Sequence, residues 1–218
     1  MTAAKGRFIT LEGGEGAGKT TQIRRLTERL RARGLPVVTT REPGGSQGAE
    51  EIRALLVSGD PGRWGAVTEA LLHTAARRDH LERTVWPALE AGQWVLCDRF
   101  FDSTMAYQGY GLGLGRERIA ALQALALDGF RPDLTLILDL DVRSGLRRAA
   151  ARAGGEDRYE RMDIGFHERL RDGFRDIAAR EPERCAVIDA DADADTVQAR
   201  VWDAVATRLP VPTGTAAP

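Results

Sequence analysis

Apolar residues along the chain fall into two alternating rhythms. Short runs rich in β-branched, aromatic and leucine side chains, at 7–11, 37–40, 94–97, 134–138 and 186–188, read as strands. Between them apolar residues recur every three or four positions, the spacing of amphipathic helices. Ile23, Leu26 and Leu30 mark the first helix, which Gly34 and Pro36 close. A short helix over 50–57 carries Ile52, Leu55 and Leu56 on one side. A longer one over 66–91 carries Val67, Leu71, Leu72, Ala75 and Leu81, with Pro87 kinking or restarting it. Residues 102–108 form a polar segment that leads into a glycine-rich loop ending at Gly115. Ile119, Leu122 and Leu125 mark a further helix, and Asp141 is placed to cap another that runs to about Arg152 before Gly154-Gly155 break it. Tyr159, Met162, Phe166, Leu170, Phe174 and Ile177 step along one long amphipathic helix, and Val197, Val201 and Val205 suggest a closing one. Strands alternating with helices predict a single α/β domain over 1–209 with a parallel sheet, and a site along the strands' C-terminal ends. The tail, 210–218, reads as disordered.

The first strand runs directly into Gly13-Gly14-Glu15-Gly16-Ala17-Gly18-Lys19-Thr20, followed by Thr21, and then into the first helix. Strand, G-x-x-x-x-G-K-[ST] loop and helix together form the setting of a phosphate-binding loop. Its glycines let several backbone N–H groups converge on one phosphate, and the helix N-terminus adds its positive dipole end. Lys19 is placed to reach the β- and γ-phosphates of a nucleotide, and the Thr20 hydroxyl to sit on Mg²⁺. Lys5 is the only other lysine of a chain otherwise crowded with arginine, so a lysine at this position is not compositional drift.

Composition narrows the partners. A formal net charge of −1 argues against nucleic acid as a bulk electrostatic partner, so any anion site must be local. Cys97 and Cys185 lie at the ends of apolar runs and read as buried small hydrophobes. No apolar stretch approaches the ~20 residues of a membrane span, and the first residues show no signal-peptide pattern. These features predict a soluble, cytoplasmic setting without membrane attachment. A GTPase switch would normally carry N-K-x-D, yet the chain contains no asparagine. An ATP-driven motor should show longer partner-contacting insertions. A small-molecule kinase accounts for more: it is short and needs a second anion site facing the phosphate loop. Arg41 after the second strand, Arg99 after the third and Arg77 on the helix between them supply such a site, since the planar guanidinium gives bidentate bonds to phosphate. Asp98, at the end of the third strand, is placed to join a Mg²⁺ shell.

Further motifs carry a resemblance. Arg41-Glu42-Pro43-Gly44-Gly45, Ala75-Ala76-Arg77 with Pro87-Ala88-Leu89, Asp98-Arg99-Phe100 through Ser103 to Ala106-Tyr107-Gln108-Gly109, and Arg131-Pro132-Asp133-Leu134-Thr135 leading into Leu138-Asp139 occur in this order. Together they resemble bacterial thymidylate kinase over nearly the whole chain. The resemblance implies a P-loop NTPase fold with a five-stranded parallel sheet, helices on both faces and an arginine-rich lid over about 147–160. It also implies phosphoryl transfer from ATP to dTMP with Mg²⁺, supplying DNA precursors, and commonly a homodimer. An enzyme acting on dUMP or dGMP is the nearest alternative.

By the same resemblance, Arg77 and Arg99 bind the dTMP phosphate and Glu15 approaches the deoxyribose 3′-hydroxyl. Ser103, Thr104 and Gln108 belong to the acceptor pocket, with Ser103 and Thr104 near the base edge. Tyr107 stands under the sugar, where a ribose 2′-hydroxyl would clash. Arg41 through Pro43 shape the pocket. Where the family usually has a phenylalanine stacked on thymine, this chain has His73. Its imidazole serves either as a smaller platform or as a source of altered base preference or pH-dependent affinity. Some family members carry an arginine in the glycine loop, and Glu15-Gly16-Ala17 offers none. The lid is therefore expected to provide the transition-state charge, from Arg152 with Arg158 and Arg148 as helpers.

Overall fold

The computed structural model describes residues 6–60, 62–151 and 158–212. In chain order the elements are β1 (Phe8–Glu12), α1 (Lys19–Arg31), β2 (Val37–Arg41), α2 (Gln47–Leu56), α3 (Ala66–His80), α4 (Trp86–Glu90), β3 (Trp94–Asp98), α5 (Phe101–Thr104), α6 (Arg116–Leu127), β4 (Leu134–Asp139), α7 (Val142–Ala150), α8 (Ile164–Arg180), β5 (Cys185–Asp189) and α9 (Ala194–Arg208). Two π-helical stretches join them, Leu81–Val85 between α3 and α4, and Met105–Gly111 after α5.

The five strands form one parallel sheet in the order β2-β3-β1-β4-β5. Such a sheet is covered on both faces, which explains the continuous hydrophobicity of β1 and β4. On one side α1 and α9 bring Leu26, Leu30, Val201 and Val205 against Ile9, Leu136 and Ile188. On the other, two neighbouring clusters form. Phe8, Val95 and Phe100 pack with Leu81 and Val85, and Ile137 packs with Phe166, Leu170 and Phe174 of α8. Register brings the strand ends together. Asp98 is the partner of both Leu11 and Arg41, so the loops leaving β1, β2 and β3 emerge side by side at the C-terminal edge.

Several elements differ from the sequence reading. The segment 102–108 is helical, because α5 runs straight into the π-helical stretch, whose Met105, Ala106 and Tyr107 are buried against α8 and α6. The long helix expected over 66–91 keeps its course, but its middle relaxes into a π-helical turn just ahead of Pro87, whose missing N–H breaks the regular ladder. Helix α8 begins only at Ile164, where the Asp163 side chain accepts from Phe166 N–H. Tyr159 and Met162 therefore lie in the preceding turn, although both still pack onto the apolar cluster of α8. Leu125 is 81% exposed rather than part of the core. Asp141 caps α7 as expected, accepting from Ser144 N–H. Both cysteines are free and buried. Of the expected tail, Val211 is partly buried against the α1–α9 side, while 213–218 lie outside the described residues.

Candidate active site

The C-terminal edge of the sheet opens into a cleft of about 540 Å³. Its floor is the glycine loop between β1 and α1. Gly13 adopts φ 132° and packs so closely on β4 that a Cβ would stand 2.4 Å from the Leu138 carbonyl oxygen, which is why no other residue fits there. Gly16 packs equally tightly against α7, with the Gly145 carbonyl 2.1 Å from where its Cβ would be. Glu15, Gly16, Ala17, Gly18, Lys19, Thr20 and Thr21 line the cleft, while Gly13 and Gly14 back the loop from a small cavity on its far side.

Lys19 is largely enclosed, and its Nζ donates to the carbonyls of Gly13 (3.0 Å) and Gly14 (2.9 Å). Burial, with the Arg99 guanidinium nearby, brings its pKa down to about 8 against the opposing pull of Glu15, Asp98 and Glu12. The Thr20 hydroxyl donates to Asp98 Oδ2 at 3.1 Å. These two oxygens suit a hard cation such as Mg²⁺, which is usually held by few protein oxygens and completes its shell with water and phosphate. No cluster of three or more metal-ligating side chains occurs among the described residues, so the protein alone offers no closed metal cage there.

Across the cleft stand the arginines. Arg99 sits immediately after β3 with φ 68°, a left-handed conformation that turns its side chain back toward the glycine loop. Its Nη2 donates to Glu15 Oε1 at 3.0 Å and its Nη1 to the Gly13 carbonyl at 3.1 Å. Tyr107 donates its hydroxyl to the same Glu15 oxygen at 2.5 Å and lies under the Arg99 guanidinium. Burial alone would raise the Glu15 pKa, but Arg99, Lys19 and the Tyr107 hydrogen bond outweigh it and bring it down to about 2. Arg77 on α3 is almost fully buried. Its Nε donates to Glu42 Oε2 at 2.7 Å, and its Nη2 to the Phe100 carbonyl and to Thr104 Oγ1. Glu42 also contacts His80 Nδ1 at 3.0 Å, so the carboxylate following β2 orients α3 through two side chains.

Arg41, Pro43, His73, Ser103, Thr104 and Gln108 all line the same cleft. Arg41 is engaged by both oxygens of Glu50, at 3.0 and 2.9 Å. The Gln108 amide nitrogen donates to Glu69 at 2.7 Å, while its Oε1 has no partner among the described residues. His73 Nε2 lies 3.0 Å from the Tyr159 hydroxyl. Burial, reinforced by Arg77, Arg158 and Arg99, lowers the His73 pKa to about 3. That shift favours the neutral imidazole beside the Tyr159 hydroxyl.

The three arginines expected to serve a lid separate. Arg148 on α7 lines the cleft and reaches the Ala190 carbonyl at 3.4 Å. Arg152, with 153–157, lies outside the described residues. Arg158 is turned away from the cleft. It is buried against Glu69, 2.5 Å from Oε2, and donates to the carbonyls of Leu56 and Asp60. That makes it a tie between the end of α2, α3 and the turn ahead of α8 rather than a charge facing the cleft.

Residues overlooked in the sequence also border the site: Arg53, Tyr159 and Glu160 line the cleft, with Glu69 behind them. One signal was available. Glu69, His73 and Arg77 follow at intervals of four, so they share one face of α3. Tyr159 was hidden by its apolar spacing with α8.

Comparisons with known proteins agree with this architecture. The family profile described as thymidylate kinase matches residues 11–201. A thymidylate kinase of Caulobacter vibrioides is 59% identical over 205 residues, covering 94% of this chain and 98% of the relative. One of Rhizorhabdus wittichii is 55% identical over 206 residues, covering 94% and 99%. Among solved structures, a thymidylate kinase from Ehrlichia chaffeensis superposes with a TM-score of 0.74 at 38% identity, covering 91% of this chain and 98% of that one.

Proposed function

Because the chain belongs to the thymidylate kinase family, whose reaction is the ATP-dependent phosphorylation of dTMP to dTDP, we propose how its cleft divides that work among its residues. Residues 13–21 take the ATP phosphates, with Lys19 reaching the β- and γ-phosphates. Thr20 and Asp98 would hold Mg²⁺, which neutralises phosphate charge when bound. Arg77 and Arg99 take the dTMP phosphate, and Glu15 and Tyr107 hold the deoxyribose. His73, Ser103, Thr104 and Gln108 face the base, within walls formed by Arg41 and Pro43. The observation that carries this reading is the Arg99–Glu15 ion pair. It joins the loop after β3 to the phosphate loop, so the groups assigned to donor and acceptor meet at one contact.

Phosphoryl transfer passes through a loose transition state, so positioning and charge neutralisation supply most of the rate. No strong general base is required, because the acceptor is already a phosphate oxyanion. Lys19, Arg99 and Arg148 contribute positive charge, with Arg152 as the principal lid arginine and 147–160 as the segment that closes over ATP. The tie that Arg158 makes to Glu69 favours an anchoring role for that residue instead.

We also infer a homodimer. Val67 and Leu71, four apart on α3, and Leu125 on α6 are 53%, 50% and 81% exposed, an apolar set for which a second copy is a fitting cover. Light scattering of wild type and Leu71→Glu tests this: a dimer that becomes monomeric supports it, and a wild-type monomer at micromolar concentration refutes it. No helix among the described residues is long and apolar enough to cross a membrane. With two free buried cysteines, this supports a cytoplasmic setting, which fractionation of cells producing the full chain would test.

The assignment of the base pocket is tested by steady-state transfer from ATP to a panel of nucleoside monophosphates. dTMP should be preferred, dUMP slower by the ~1–3 kcal/mol that one methyl contributes in an apolar pocket, and the ribonucleotide poor. Preference for dGMP would overturn it.

A further inference from the structure

The corner at Asp98–Phe100 sets a conformational problem. Arg99 occupies the left-handed region, uncommon for a residue with a side chain, and this turn sends its guanidinium toward Glu15 and Gly13. The same turn points the next amide, Phe100 N–H, into the protein interior at the entrance to α5. Glu12, the last residue of β1, meets it there. Glu12 Oε1 accepts from Phe100 N–H at 2.7 Å, and Glu12 Oε2 lies 2.5 Å from Ser103 Oγ. Arg99 Nη1 reaches the same Ser103 oxygen at 3.3 Å. Glu12 is wholly buried and does not line the cleft, so it has no direct access to a nucleotide.

We propose that Glu12 is a positioning residue for acceptor recognition, its buried carboxyl group fixing both the Arg99 turn that receives the dTMP phosphate and the Ser103 hydroxyl that faces the base. The proposal rests on the assignment of Arg99 to that phosphate. The surroundings also set the proton inventory. The ionisable groups around Glu12 are Asp102 of α5, Arg99, Lys19 of α1, Cys97 of β3 and Cys185 of β5. Arg99 is already paired with Glu15, and Asp102 with Arg184. Burial, with Asp102 adding to it, raises the Glu12 carboxyl to about 8 against the pull of Ser103, Arg99 and Phe100 N–H. Glu12 accepts from Phe100 N–H with Oε1 and from the Ser103 hydroxyl with Oε2. Glutamine keeps both contacts, its oxygen accepting from Phe100 N–H and its amide donating to the Ser103 oxygen, whereas aspartate is too short to span both partners and leucine supplies neither.

The test is calorimetric titration of the full chain with dTMP and, separately, with a non-hydrolysable ATP analogue, for Glu12→Leu, Glu12→Asp, Glu12→Gln and Arg99→Ala. Glu12→Leu and Glu12→Asp should weaken dTMP about tenfold or more, the scale of an unsatisfied buried amide, while the ATP analogue stays within about twofold and Glu12→Gln within about threefold for both ligands. If Glu12→Leu does not fold, Glu12→Asp, which keeps the carboxyl group, decides. Wild-type dTMP affinity in Glu12→Leu or Glu12→Asp overturns the proposal. So does parallel loss of both nucleotides, or a Glu12→Gln variant as impaired as Glu12→Leu. Arg99→Ala separates the two layers. If it leaves dTMP binding intact, the phosphate assignment falls and this proposal with it. If it weakens dTMP binding while Glu12→Leu and Glu12→Asp do not, only the role of Glu12 falls.

Discussion

Arg158→Met removes a guanidinium that is engaged on every side inside the protein. Its Nη2 pairs with Glu69 Oε2 at 2.5 Å, while Nη1 and Nε donate to the carbonyls of Leu56 and Asp60, each at 3.1 Å. The paired side chains are 3% and 1% exposed, so the substitution strands the Glu69 carboxylate away from water, with Gln108 and Tyr159 as donors to it. Removing one partner of a buried ion pair costs about 3–5 kcal/mol. In a domain of this size each kcal/mol moves the midpoint by about 2–4 °C, so Tm should fall by about 6–20 °C. The chemical step should be spared. Measured well below the lowered midpoint, kcat at saturating substrates should stay within about threefold, less than ~1 kcal/mol of barrier. The dTMP KM should rise, because Gln108 and Tyr159 border the cleft and are held through Glu69. Thermal unfolding by circular dichroism, paired with steady-state kinetics, reads both quantities. Adding Glu69→Gln to Arg158→Met relieves the stranded charge and should recover part of the lost Tm. An unchanged Tm with kcat down about a hundredfold, ~2.7 kcal/mol of barrier, would refute this reasoning and put Arg158 on the phosphoryl group.

Lys19→Ala should lower kcat by far more than about tenfold, or ~1.4 kcal/mol, and it also removes the two bonds that Nζ makes to the loop carbonyls; a variant keeping a tenth of wild-type kcat would contradict the assignment of Lys19 to the ATP phosphates. His73→Phe should keep or lower the dTMP KM, because Tyr159 retains its bond to Glu69 and a neutral ring gains stacking area; a large loss would show that the imidazole makes a specific polar contact. Tyr107→Ala should narrow the preference for deoxyribose over ribose, and an unchanged ratio in kcat/KM would remove Tyr107 from sugar selection. Glu12 gives a pH signature. Its carboxyl group rises from 4.5 to about 8 on folding, so wild type loses stability relative to Glu12→Gln as pH climbs through that interval, and the gap levels off above it. Equal Tm differences at the two ends of the interval would show that Glu12 is not held neutral.

Much of this was legible in the sequence because it is written locally. A glycine loop between a strand and a helix has few alternative foldings, and the continuous apolar runs of β3 and β4 leave a covered parallel sheet as the natural home. The residues after β2 and β3 could be placed at one edge because parallel strands all end on the same side. The missed features are those that depend on long-range pairing. Nothing local distinguishes Arg158, which anchors, from Arg148, which faces the cleft, since both sit in an arginine-rich stretch. The difference lies in Glu69, eighty-nine residues earlier in the chain. The segment 102–108 misled for a similar reason. Its polar residues suggest a loop, yet Asp102 is paired with Arg184 and Ser103 donates to Glu12, partners that only the folded sheet brings within reach.

The same pairing bears on how two highly charged substrates are received. Three arginines that line the cleft are each matched to a carboxylate: Arg77 to Glu42, Arg99 to Glu15 and Arg41 to Glu50. Unpaired guanidinium groups so close together would repel one another and adopt many rotamers, and ordering them on binding would cost affinity. The carboxylates remove that cost in advance. Each occupies only part of the guanidinium fork: on Arg77, Nε and Nη2 are engaged, so the Nη1 hydrogens are the donors left for a phosphate. Glu15 contributes most, because its one oxygen Oε1 fixes both Arg99 and Tyr107 and its low pKa keeps it ionised across the working pH range. Glu15→Gln would keep the shape of the loop but weaken both holds, so it should raise the dTMP KM more than the ATP KM. If the two rise together, Glu15 serves the phosphate loop alone and the preset arrangement of Arg99 does not matter to the acceptor.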